Sequence, residues 1–278
     1  TSYLDVNEIA AATARPQDVI GLHFFSPAHI MRLLEVVVAD KTAPDVVATA
    51  FALAAKMKKV AVRSGVCDGF IGNRILAHYR KVADYMLLDG ASFEQIDNAL
   101  EDFGFAMGPF AVGDLAGLDI GWATRKRKAP TRPPGERYVA IADRICEAGW
   151  FGRKTGQGFY LYDNPKQRVP NPGAAAFVAS ERAATKVASR AFADDEIVAR
   201  YMTAMISEAA RVVEEGIARR PVDVDAVFLF GYGFPRHLGG PLNYADRIGA
   251  EALITRIEAY AQEDPHYWQV PKLLRTLA

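Results

Sequence analysis

Two decapeptides, GPFAVGDLAG at 108–117 and GPLNYADRIG at 240–249, share Gly, Pro, Asp and Gly in register at an offset of 132 residues. Each is preceded by a Gly-Phe (in GFAMGPF and GFPRHLGGPL), by an Ile-Asp or Val-Asp at the start of a short helix, and by a long amphipathic helix ending in LLDG or VEEG. An ordered set of features that recurs at one spacing marks a duplicated packing unit. The segment 194–278 is therefore expected to be a helical copy of 67–163, with the same helix order. The second copy has no counterpart of the GLHFF or GNR segments, so it is expected to supply no catalytic group.

Ahead of the repeat the pattern differs. VIGLHFF (19–25) and LLEVVVA (33–39) read as buried strands, APDVVATAFALAAKMK (43–58) as an amphipathic helix and KVAVRS (59–64) as a further strand. That order suits the late part of a parallel, doubly wound sheet. Such a sheet begins with a glycine-rich pyrophosphate turn, and no G-x-G-x-x-G is present; GYGFPR (231–236) has the first two glycines and then fails. The chain opens without methionine and reaches strand-like sequence within about 20 residues, which reads as the middle of a longer protein. In the first helical copy GFIGNRILAHYRKVADYMLLDG (69–90) and SFEQIDNALEDFG (92–104) each end on glycine, and Ser92 stands three residues before Gln95, a capping-box spacing. A third helix is expected after Pro109. FGRKTGQGFYLYD (151–163) reads as an extended closing segment, and 164–193, with prolines at 165, 170 and 172, as a linker.

Composition removes several classes of function. Lys plus Arg and Asp plus Glu each number 33, so no net charge draws the chain to nucleic acid or an acidic membrane. The basic run RKRKAPTRPP (125–134) reads as a solvated loop. Two cysteines, Cys67 and Cys146, make neither a disulfide framework nor a zinc cluster, which fits a reducing compartment. No run of about 18 apolar residues is present, so no membrane insertion is expected and the chain reads as soluble and intracellular.

TSYLDVNEI, GLHFFSPAHIMRLLEVV, CDGFIGNRIL, MGPFAVGDLAGLDIGW and GRKTGQGFYLYD, in this order and spacing, resemble the (3S)-3-hydroxyacyl-CoA dehydrogenase family of fatty-acid β-oxidation. The tandem helical segments are similar to those of the multifunctional members, peroxisomal-type and bacterial, that fuse a hydratase to this dehydrogenase. The resemblance implies a mainly α chain: a C-terminal remnant of an α/β Rossmann NAD-binding domain (1–66), a first helical dehydrogenase C-terminal domain (67–163), the linker, and a second copy (194–278). It implies NAD as cofactor, an acyl-CoA substrate and no metal. The resemblance implies as partner a second copy of the chain or the absent N-terminal half of the Rossmann domain. The compartment it implies is bacterial cytoplasm, or else the peroxisome. Without that half, the chain alone is expected to bind NAD no better than millimolar and to show no dehydrogenase activity.

His23 and Glu35 each interrupt an apolar run, where a titratable group is costly unless paired. Oxidising a secondary alcohol needs a base for the hydroxyl proton, and a carboxylate on the far ring nitrogen fixes the tautomer and steadies the imidazolium. In the family the motif histidine is that base and the glutamate twelve residues on its partner, which assigns His23 and Glu35. Ser2, 21 residues before His23, and Asn73, 50 after it, match the family residues that hydrogen-bond the substrate oxygen, Ser2 also lying beside the cofactor. Lys154 and Ser26 match cofactor-side positions. Two other readings stand beside this one: a related dehydrogenase of another 3-hydroxy acid, such as 3-hydroxybutyryl-CoA, against which the tandem repeat argues, and a helical packing fragment inert on its own.

Overall fold

The computed structural model describes residues 2–164 and 167–278. After helix α1 (Val6–Ala11), strands β1 (Gly21–Phe24) and β2 (Leu33–Val37), helix α2 (Pro44–Lys56) and strand β3 (Val60–Ser64) form a three-stranded sheet of order β1-β2-β3. The β2-α2-β3 unit is parallel, as its strand, helix, strand order predicts, but β1 runs antiparallel to β2. The reason is length: a parallel pair needs a crossover of a dozen or more residues, and only 25–32 separate these two strands.

β2 is buried along its whole length, and its side chains alternate between the faces of the sheet. Leu34 and Val36 pack on Ala50 and Ala54 of α2. Val37 packs with Val6 and Phe70 on the other face, which is also the face of Glu35.

The helical part begins with α3 (Gly72–Asp89), α4 (Phe93–Phe103), α5 (Pro109–Ala116) and α6 (Leu118–Lys128), followed by α7 (Ile141–Glu147). The helix boundaries at Gly90 and Gly104 and the Ser92 cap, which accepts the Gln95 N–H at 3.0 Å, fall where the sequence puts them. The box is half formed, because the Gln95 side chain donates to Phe192 O instead of reaching back. The segment 151–163 is not extended. It turns through a 3-10 turn at Arg153–Thr155 into the two-residue strand β4 (Tyr160–Leu161), which pairs with β5 (Val169–Pro170). The expected linker 164–193 holds β5 and the 14-residue helix α8 (Pro172–Thr185). Pro172 opens that helix behind the Asn171 cap, a place where proline is favoured, so it does not act as a breaker there. Pro165 lies outside the described residues.

The chain continues through α9 (Asp194–Glu214), α10 (Pro221–Gly231), α11 (Pro241–Ile248), α12 (Ala250–Ala261) and α13 (Lys272–Leu277). By internal contacts it divides into one unit made of the residues up to Tyr79 with Met202–Ala278, and another of Arg80–Tyr201. The division falls within α3 and α9.

The sequence repeat has a structural device at its centre. In the first copy buried Asp97 of α4 accepts the N–H groups of Phe110 and Ala111, both at 2.9 Å, and the Tyr160 hydroxyl at 2.8 Å. In the second, buried Asp225 of α10 accepts the N–H groups of Leu242 at 2.8 Å and Asn243 at 3.2 Å. Each carboxylate thus satisfies the orphan amides that open an eight-residue helix. The Gly-Pro before each helix is needed for the approach: a Cβ on Gly108 would lie 2.3 Å from Asp97, and one on Gly240 2.4 Å from Asp225.

Burial pushes both carboxyls up, from an unfolded value near 3.8 to about 6. A raised folded value means the folded state holds these protons more tightly, so their contribution is full below about 4 and is lost as pH rises through about 6. The melting-temperature difference between the wild type and an Asp97→Asn/Asp225→Asn double variant is therefore expected to grow in favour of the wild type from pH 6 to pH 4. A constant difference across that range would contradict this reading.

Candidate active site

Antiparallel register sets His23 directly opposite Glu35 on one face of the sheet. The two side chains meet: His23 Nδ1 lies 2.6 Å from Glu35 Oε2. Glu35 is wholly buried, and its other oxygen accepts the N–H of Gly72, the first residue of α3, at 2.9 Å. A carboxylate at a helix N-terminus, with an imidazole on its second oxygen, has both oxygens occupied by donors. With Nδ1 committed to Glu35, Nε2 is the nitrogen left for chemistry. The ring is held edge-on by Phe25 at 4.7 Å and Phe70 at 5.5 Å between centroids.

Asn73 follows Gly72 in the first turn of α3, so the helix start that receives Glu35 also places the carboxamide. Its Nδ2 donates to the Ser2 hydroxyl oxygen at 2.8 Å. Ser2 is buried and is tied down by its own carbonyl, which accepts the Gly69 N–H at 2.8 Å. The next residue, Arg74, anchors this end of α3 with Nε on Glu208 at 2.6 Å and its other nitrogens on both oxygens of Glu215 at 2.6 and 2.8 Å.

The structure therefore gathers His23, Glu35, Asn73 and Ser2 in the first unit. Ser26, just beyond β1, is exposed there. Lys154 belongs to the other unit, where its ammonium bonds Asp119 at 2.8 and 3.0 Å. The sequence reading missed Tyr232. Its hydroxyl donates to Asn73 Oδ1 at 2.7 Å, so the second helical segment reaches the candidate site through a side chain that bonds Asn73, a contact the expectation of no catalytic group did not foresee. The signal was present in GYGFPR, which reads as a failed glycine motif, and in the glycine of GNR: a Cβ on Gly72 would lie 2.4 Å from the Tyr232 ring.

Residues 1–67 match the family model "3-hydroxyacyl-CoA dehydrogenase, NAD binding domain", and residues 69–162 and 197–278 each match "3-hydroxyacyl-CoA dehydrogenase, C-terminal domain". The chain belongs to the 3-hydroxyacyl-CoA dehydrogenase family. It is 48% identical to a peroxisomal bifunctional enzyme of Cavia porcellus over 95% of its own length and 38% of that protein. It is 38% identical to the fatty acid oxidation complex subunit alpha of Shewanella amazonensis over 100% of its length and 39% of that protein. The chain thus spans about two fifths of the length of the curated relatives it matches. Among solved structures it resembles the dehydrogenase part of multifunctional enzyme 1 from C. elegans, with a TM-score of 0.69 and 26% identity over 100% of this chain and 64% of that one. It shares its fold with a 3-hydroxybutyryl-CoA dehydrogenase from Escherichia coli, with a TM-score of 0.82 and 24% identity over 99% of this chain and 73% of that one. Among the described residues no helix is long and apolar enough to cross a membrane.

Proposed function

We propose that the site oxidises a (3S)-3-hydroxyacyl-CoA to the 3-ketoacyl-CoA, reversibly and with NAD, within a longer multifunctional enzyme of fatty-acid β-oxidation. The observation that carries this is the His23 Nδ1–Glu35 contact at 2.6 Å, with Glu35 buried and bonded also to the N–H of Gly72, the residue before Asn73. His23 Nε2 takes the hydroxyl proton, and the buried carboxylate stabilises the imidazolium that forms. Asn73, which keeps an amide hydrogen after its bond to Ser2, donates to the substrate oxygen and strengthens that bond as alkoxide character develops. Ser2 accepts from Asn73 and so keeps its own hydrogen to donate.

The residues present fit a hydride-accepting dinucleotide at its reactive end: the site offers the His23 imidazole as proton acceptor and the uncharged donors Asn73 and Ser2. Bound there, NAD would take the hydride from carbon 3. Ser2 and Ser26 would hold its nicotinamide side; Lys154, whose ammonium bonds Asp119, is assigned to the cofactor by its sequence match alone. Residues 1–66 are then that side of a larger Rossmann domain, and 67–163 and 194–278 two copies of one helical unit. The two groups of relatives support either a bacterial cytoplasm or a peroxisome as compartment.

Chain length of the acyl group is the open choice. The sequence argument that a tandem repeat disfavours a 3-hydroxybutyryl-CoA substrate loses its force, because a protein of that name has this fold over 99% of the chain. The test is NADH formation by the full-length natural protein from (3S)-3-hydroxyacyl-CoA thioesters of increasing length, with the 3R series as control. Turnover of the 3S thioesters alone supports the reading. Absence of turnover at every length, or turnover of the free acids in their place, contradicts it.

A further inference from the structure

We propose that Tyr232 is a positioning residue for this reaction, setting the direction in which the Asn73 carboxamide faces, so that the second helical segment takes part in the site. The inference rests on the dehydrogenase reading above and adds to it the group that polarises its oxygen-binding pair.

A carboxamide between two hydroxyls can be hydrogen-bonded in either orientation, since a hydroxyl both donates and accepts. Ser2 would pair with Asn73 Nδ2 or, if the amide turned over, with Oδ1. Tyr232 breaks that symmetry. Among the described residues Asn73 Oδ1, at 2.7 Å, is the acceptor of its hydroxyl, which in the reversed arrangement would lose that acceptor and face an amide hydrogen in its place. Burial and the nearby Glu35 carboxylate push the Tyr232 hydroxyl well above the usual phenol range, so it stays protonated and remains a donor.

The bonds therefore run one way: Tyr232 hydroxyl to Asn73 Oδ1, Asn73 Nδ2 to Ser2 Oγ. The chain ends with two free hydrogens, one on the Asn73 amide and one on Ser2. Both are then available to an oxygen that gains negative charge. If the amide turned over, the Ser2 hydrogen would be spent on Asn73 Oδ1 and an acceptor would replace one of the donors.

The ring is fixed independently of its hydroxyl. It stacks on Phe228 at 4.9 Å, meets Phe25 edge-on at 5.5 Å, and enters beside Gly72, where no side chain blocks it. Phenylalanine at 232 would keep these contacts and remove only the hydrogen bond.

The experiment is steady-state kinetics of the full-length enzyme carrying Tyr232→Phe, Asn73→Ala and both, with His23→Gln in the same assay. Tyr232→Phe is expected to lower kcat about tenfold to a hundredfold, less than the loss of a direct oxyanion donor, with KM for the acyl-CoA little changed. In the Asn73→Ala background it is expected to have no further effect, because the amide it orients is gone. An unchanged kcat in Tyr232→Phe, or an equal loss with and without Asn73, overturns the proposal while leaving the dehydrogenase reading intact. Undiminished turnover by His23→Gln overturns both.

Discussion

His23→Gln in the full-length enzyme is expected to lower kcat by about two to four decades, the range lost when a positioned general base is removed. Glutamine keeps much of the volume between Phe25 and Phe70, and its amide can still meet Glu35, so the strand pair should survive. What it cannot do is take up a proton at neutral pH. The loss should fall on kcat and kcat/KM together, the pattern of an interaction made in the transition state. Circular dichroism and melting temperature close to wild type would separate this chemical loss from unfolding. A rate within a few-fold of wild type would remove His23 from the mechanism.

Glu35→Ala is expected to have the largest effect on stability. Glu35 is wholly buried in the central strand, bonded on one oxygen to His23 and on the other to the Gly72 N–H. Alanine would leave a cavity, an unsatisfied amide at the start of α3 and an unpaired imidazole, together costing about 3–5 kcal/mol. Turnover should also fall, since the same change frees the His23 ring and shifts the helix start that carries Asn73. Glu35→Gln separates the two effects. It keeps the volume but has one acceptor where the carboxylate has two, so it should melt close to wild type and still lose at least about tenfold in kcat. Chemical denaturation of both variants measures this, and equal stability for Glu35→Ala and Glu35→Gln would mean that the carboxylate is not a structural tie.

Much of this site was legible in the sequence, for physical reasons that differ by residue. His23 and Glu35 stand out because a titratable group inside an apolar strand run is anomalous. The caps at Ser92 and Gly104 are local devices and read directly. The direction of β1 was misread because apolar runs carry no sign of strand polarity, although the eight residues between Phe24 and Leu33 exclude a crossover. Helix α8 was hidden by Pro172, which signals a break when its position relative to Asn171 is ignored. Tyr232 lies 159 positions from Asn73, and no periodicity or spacing links them. Their contact follows from the fold that brings the end of α10 to the start of α3. The paired aspartates show the opposite case: the glycines that make room for Asp97 and Asp225 are themselves among the residues that make the repeat visible in the sequence.

The most direct test of the account follows the hydrogen on carbon 3. The full-length enzyme would be given NAD and a (3S)-3-hydroxyacyl-CoA carrying deuterium at that carbon, with the nicotinamide product examined by NMR. The account predicts that the deuterium appears on the nicotinamide ring in the wild type, that NADH formation slows with the isotope, and that neither transfer nor turnover survives at a comparable rate in His23→Gln. Deuterium retained in the acyl product, or transfer to the nicotinamide that proceeds undiminished in His23→Gln, would contradict it.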